Sequence, residues 1–148
     1  TKERKLFLNK NNRKLEYDSE NLMYTLLEEI LKNDDYKMLD FVCHFPVNML
    51  IKNPYLLNDD ECLYAMNPAT HVDFLVYNRI SKRAILAIEV DGYAFHQKET
   101  AQAKRDLLKN HIFELYYIPL LRFSTTGSGK REKIINMLNK ILNIGDLK

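Results

Sequence analysis

A chain of 148 residues with 46% apolar residues has the length and apolar content of one globular domain, which argues against an intrinsically disordered segment. No apolar run approaches the roughly 20 residues that span a bilayer, and the charged N-terminus argues against a secretory leader. Cys43 and Cys62 form no CxxC pair, which argues against a zinc module or a disulfide scaffold and fits a reducing, cytoplasmic setting.

The net charge of +2 conceals an uneven distribution. Residues 1–14 carry +5, residues 15–97 carry −8, and residues 98–140 carry +5. An acidic centre between basic flanks suits a metal held in the middle and a polyanion at the sides, although solvated surfaces of mixed sign give the same tally.

In chain order, Thr1 to Lys14 is basic and polar and reads as a strand, an arm or the tail of a linker from a larger protein. The single domain then has its core in residues 15–145. Asp18 or Ser19 caps a helix whose apolar face is Leu22, Met23, Leu26, Leu27, Ile30 and Leu31, ending at Asn33-Asp34-Asp35. Met38 to Phe45 reads as a strand closed by Pro46, and Val47 to Leu57 as a turn or short helix. Asn58-Asp59-Asp60-Glu61 reads as a loop. Thr70 to Tyr77 is a strand with Val72, Phe74 and Val76 on one side and His71, Asp73 and Leu75 on the other. A polar turn, Asn78 to Arg83, joins it as a hairpin to the apolar run from Ala84. A helix follows over Lys98 to Ile112, with Ala101, Leu108 and Ile112 facing the core and Gln102, Arg105 and Lys109 on another stripe. Tyr116 to Phe123 is a strand interrupted by Pro119, hence an edge or a bulge. Thr125 to Gly129 is a link, and Lys130 to Asn143 a helix with Ile134, Ile135, Leu138, Ile141 and Leu142 inward.

The chemistry concentrates at Ala84-Ile-Leu-Ala-Ile-Glu-Val-Asp-Gly-Tyr-Ala-Phe-His96. A continuous apolar run ending in charge and glycine reads as a central strand buried on both faces. Glu89 and Asp91 then point to the same side, where two acids repel and resist desolvation. If the hairpin arms pair, Asp73 converges with Glu89 and Asp91 at one end of the sheet. Three carboxylates form an all-oxygen site suited to Mg²⁺ or Mn²⁺. Each acid singly is as readily explained by a rim Lys or Arg. His71 shares a face with Asp73 and serves equally well as a structural hydrogen bonder, and His44 and His111 read as structural. Tyr93, Phe95, Tyr116 and Tyr117 suit base stacking or, more simply, the core.

The motifs His71-Val-Asp73-Phe-Leu-Val, Ile-Glu89-Val-Asp91-Gly-Tyr-Ala-Phe-His96, Lys104-Arg-Asp106-Leu-Leu-Lys-Asn110 and Ile118-Pro-Leu-Leu-Arg122-Phe, with fifteen residues between Asp73 and Glu89, together resemble the PD-(D/E)xK nuclease superfamily. Within it the pattern is similar to the very-short-patch-repair (Vsr-like) branch. It is closer still to an uncharacterised restriction-endonuclease-like domain family often attached to helicases and other DNA-processing proteins. The resemblance covers residues 19 to 124. It implies an α/β fold of restriction-endonuclease type, a central mixed sheet flanked by helices. It also implies metal binding by Asp73 and Glu89, with Glu20 completing the site through a metal-bound water. His96 takes the place of a histidine that aids proton transfer, and Arg105 and Arg122 neutralise phosphate.

Asp91 departs from the pattern, because it occupies the lysine position. Lys98, Lys104 or Lys109 can reach in from the following helix, or His96, with an unperturbed pKa near 6.5, can serve instead. The expected activity is metal-dependent hydrolysis of DNA phosphodiesters, with Mg²⁺ or Mn²⁺ on Asp73, Glu89 and Asp91, and DNA contacts from Lys104, Arg105, Lys109 and Arg122. The alternatives are a catalytically inactive nucleic-acid-binding module of a larger DNA-processing protein and a purely structural interaction domain.

Overall fold

The computed structural model describes residues 18–91, 101–125 and 127–144. Helix α1 (Asp18–Ile30) leads to strand β1 (Leu39–Pro46), helix α2 (Asp59–Met66), strands β2 (His71–Asn78) and β3 (Ala84–Asp91), helix α3 (Ala101–Leu115), strand β4 (Leu120–Ser124) and helix α4 (Lys130–Leu142). The strands form one mixed sheet in the order β1-β2-β3-β4, flanked by helices. β1 to β3 are antiparallel neighbours, and β3 pairs parallel with β4. The chain is therefore α/β, as its alternating apolar patterns imply. Among the described residues no helix is long and apolar enough to cross a membrane.

Alternation along β3 divides the molecule into two cores. Leu86, Ile88 and Val90 face the layer of α1 and α4, where they join Leu27, Phe41, Phe74, Ile134 and Leu138. Ala87 faces the opposite layer, with Ala65 of α2 and Ile112 and Phe113 of α3. Glu89 and Asp91, in phase with Ala87, consequently lie on the α3 side. That phase relation puts acid chemistry beneath a helix rather than in open solvent.

The hairpin turn is built by Asn78, whose Oδ1 accepts from the amides of Ile80 (2.9 Å) and Ser81 (3.0 Å), and Lys82 completes it in the left-handed region at φ 65°. β4 begins directly after Pro119 and is an edge strand, so the missing proline amide breaks no ladder.

Four local expectations need correction. The acid-rich stretch from Asn58, expected as a loop, starts α2. Asn58 Oδ1 accepts from the Glu61 amide (2.8 Å) while Glu61 Oε1 accepts from the Asn58 amide (3.0 Å), a reciprocal capping box. Asn58→Ala is expected to cost about 1 kcal/mol, visible as a lowered urea midpoint at unchanged slope. Leu22 is 70% exposed, because the buried stripe of α1 runs through Met23, Tyr24, Leu27 and Ile30. Ala101 is exposed and Lys109 buried, so α3 turns part of its polar stripe inward. Val72 packs with Leu75 rather than with Phe74 and Val76, because the β2–β3 ladder ends at Phe74–Ile88 and the strict alternation ends with it.

Candidate active site

Beyond Phe74 and Ile88 the two central strands part, and side chains replace the backbone ladder. The Asp73 amide donates to Glu89 Oε2 (2.8 Å), and the Val90 amide donates to Asp73 Oδ2 (2.8 Å). The carboxylates thus take the place of the carbonyl acceptors that a continuing ladder would supply. The fork holds two acids side by side at the sheet end without orphaning either amide.

The cost of that arrangement is electrostatic. Burial pushes the Asp73 carboxyl up to about 7, helped by repulsion from Glu89 and Glu20 and opposed by the Val90 amide and Lys109. Lys109 is the compensating cation. Its side chain is 8% exposed, and its ammonium bonds Glu89 Oε1 and donates to the His71 carbonyl (2.8 Å). Tyr64 of α2 lies beside it, and burial raises the Tyr64 hydroxyl despite the opposing ammonium charge. Sequence reasoning did not single out Tyr64, and only the packing of α2 on α3 brings it to the site.

Asp91 is held differently. Arg122, which the parallel β3–β4 register sets opposite Glu89, lies 3.2 Å from Asp91 Oδ1 through Nη1 and also approaches Asp106 Oδ1 at 3.5 Å. Arg122 Nε donates to Asn110 Oδ1 (2.8 Å), so this guanidinium is tied to the protein on several sides. Burial raises the Asp91 carboxyl, against the pull of Arg122.

Glu20, in the first turn of α1, is near enough to Asp73 to raise it. Its Oε1 is buried, lies 3.4 Å from His44 Nε2, and accepts no hydrogen bond among the described residues. A buried carboxylate oxygen near Asp73, flanked by an imidazole, is a feature that a bound cation would also explain. The oxygens of Glu20, Asp73 and Glu89 are the donor type that Mg²⁺ and Mn²⁺ take, and an ion at Glu89 would share oxygens that Lys109 and the Asp73 amide already engage.

A cleft of about 420 Å³ between the sheet end, α2 and α3 is bordered by His71, Asp73, Glu89, Asp91, Arg105 and Lys109, while Glu20 is not part of its lining. Arg105 is exposed at this border, its guanidinium donating to Gln102 Oε1 (2.8 Å). Lys104 instead borders a neighbouring groove with Leu107 and His111. His111 pairs with the buried Glu61 carboxylate; burial alone would raise that carboxyl, but the Asn58 amide and His111 outweigh it and hold it low. Tyr116 donates to the Asn53 carbonyl (2.5 Å), and Tyr117 is exposed. His96, Lys98, Tyr93 and Phe95 lie outside the described residues.

Residues 12–141 match the family model described as protein of unknown function, DUF2726. The chain belongs to this family. No curated protein and no solved structure matches it. The acid fork and its buried lysine are therefore the features of this DUF2726 domain's own structure on which a functional reading rests.

Proposed function

We propose that this domain hydrolyses DNA phosphodiesters with a divalent cation, Mg²⁺ or Mn²⁺. The observation that carries the reading is the fork of Asp73 and Glu89 with Lys109 bonded to Glu89. The resembled superfamily motif wants a lysine two residues after the glutamate, where this chain has Asp91. The ammonium of Lys109 reaches the same carboxylate from α3, which answers the departure.

Asp73 and Glu89 would hold the cation, with Glu20 reaching it through a bound water. When bound, such an ion polarises a phosphoryl oxygen, lowers the pKa of water and offsets developing charge. The chain's own residues supply the rest. Lys109 fixes the Glu89 carboxylate and keeps a positive charge within the buried cluster. The Asp73–Val90 and Glu89–Asp73 bonds set both acids at a fixed spacing, so little reorganisation remains for the reaction. Arg105, at the cleft border, is placed to receive a phosphate, and Arg122 offsets the charge of Asp91 and Asp106.

Nicking of supercoiled plasmid with Mg²⁺ or Mn²⁺ tests the proposal. Asp73→Ala and Glu89→Ala are each expected to lower the rate by about a hundredfold or more. Cleavage by either variant at the wild-type rate would overturn the assignment. Steeply salt-dependent DNA binding with no cleavage by the wild type would instead mark a non-catalytic binding module.

A further inference from the structure

We infer that His44, His71 and Asp73 form a nitrogen-bearing cation site that selects a transition-metal ion such as Mn²⁺, Co²⁺ or Zn²⁺ over Mg²⁺. One donor atom from each of the three lies within 4.8 Å of the other two. Bonds from such an ion to N and O donors are about 2.1 Å long, so the trio closes on an ion with shifts of less than about 1 Å per side chain.

The hydrogen bonding of His71 sets its tautomer. Its Nδ1 lies 3.1 Å from the Ala69 carbonyl, which can only accept, so Nδ1 carries the proton. In the neutral ring Nε2 then presents a lone pair, and it faces Asp73 Oδ1 at 4.0 Å. Two electron-pair donors facing one another at 4.0 Å, too far for a direct hydrogen bond, leave room for a bridging cation. An imidazole anchored through its far nitrogen to a backbone carbonyl is the usual support of a metal ligand.

His44 brings the second nitrogen by an unusual backbone route. It sits inside β1 at φ 51°, in the left-handed region, and the β1–β2 ladder omits it between Cys43–Phe74 and Phe45–Val72. A non-glycine residue held there carries about 1 kcal/mol or more of strain. The outcome is a ring centroid 5.0 Å from that of His71. Glu20 Oε1, buried, lies 3.4 Å from His44 Nε2 on the flank of this trio. The side chains of His44 and His71 are 23% and 42% exposed, which leaves an ion a way in.

Nitrogen donors decide the choice of ion. Mg²⁺ takes oxygens and keeps its waters, whereas imidazole suits the later divalent ions. The site shares Asp73 with the proposed catalytic centre, so it deepens that reading by naming the ion, but ion binding itself does not depend on DNA hydrolysis.

The test uses the full chain loaded with Mn²⁺ and pulsed electron paramagnetic resonance, which detects nitrogen bonded to the ion. Imidazole nitrogen coupling is expected in the wild type, and its absence overturns the inference. Calorimetric titration with MnCl₂ and MgCl₂ is expected to show Mn²⁺ at least about tenfold tighter. In His44→Asn/His71→Gln, with asparagine chosen because it tolerates positive φ, Mn²⁺ binding is expected to weaken at least about tenfold. Unchanged Mn²⁺ affinity in a variant with native circular dichroism overturns the inference. If that variant fails to fold, the wild-type resonance spectrum decides alone. Nitrogen coupling without plasmid nicking would leave this site standing and remove the nuclease; nicking with Mg²⁺ and no nitrogen coupling would do the reverse.

Discussion

Lys109→Met is expected to destabilise the fold by about 3–5 kcal/mol, read from the midpoint of urea unfolding. The size follows from where the charge sits. The side chains of Lys109 and Glu89 are 8% and 7% exposed, and a second acid, Asp73, shares hydrogen bonds with Glu89. Methionine keeps most of the stem volume and removes the ammonium, leaving Glu89 buried beside Asp73 with no cation in contact. The loss is thus the penalty of an unpaired buried carboxylate rather than the net worth of an ion pair. Lys109→Met/Glu89→Gln is accordingly expected to recover most of the stability, because the introduced glutamine is neutral and retains an oxygen for the Asp73 amide. A single-variant loss under about 1 kcal/mol would mean that the pair is solvated and that Lys109 is no part of the fork.

Asp73→Asn is expected to act in the opposite direction, stabilising the metal-free protein at pH 8 by about 2–4 kcal/mol while abolishing nicking. Asp73 titrates near its ordinary 3.8 when unfolded and at about 7 when folded. Between those values the folded state holds a proton that the unfolded state has released. Stability therefore falls as pH rises from about 4 to about 7 and stays low above, the reverse of a salt-bridged acid. Asparagine never ionises and still offers an oxygen to the Val90 amide, so the variant escapes this loss. The two proteins are expected to have nearly equal melting temperatures at about pH 4 and to diverge by about pH 8. Coincident melting temperatures at both pH values would show that the carboxyl is not raised. A divalent cation that binds the folded state reverses the ranking by mass action, raising the wild type and leaving Asp73→Asn behind.

Much of the fold was legible because its signals are local and repeated. The apolar runs of β2 and β3 and the Asn78 turn specify a hairpin, and the spacing of Ile134, Leu138 and Ile141 specifies the face of α4. The acids on β3 were legible from alternation alone. The run after Asn58 misled because acidic residues mark both loops and helix first turns, and only the reciprocity of Asn58 with Glu61 separates the two. Lys109 was visible as a member of a stripe with Gln102 and Arg105, but its burial depends on Glu89 waiting across the sheet face. His44 carried no local signal. Its place beside His71 and Asp73 arises from the register of β1 on β2, a long-range property that no window of sequence contains.

The fork gives Asp73 and Glu89 two occupations at once. Each accepts an amide that the parted strands would otherwise strand, so a descendant that had given up chemistry would still need a side-chain oxygen at each position, which asparagine and glutamine also supply. An oxygen-bearing side chain at these two positions in another DUF2726 member would therefore be a weak marker of the proposed activity. Glu20 is a stronger one, since its buried Oε1 accepts no hydrogen bond among the described residues and satisfies no part of the backbone. A member that keeps the fork but has exchanged Glu20 for an apolar residue is the natural place to look for a domain that has become a scaffold.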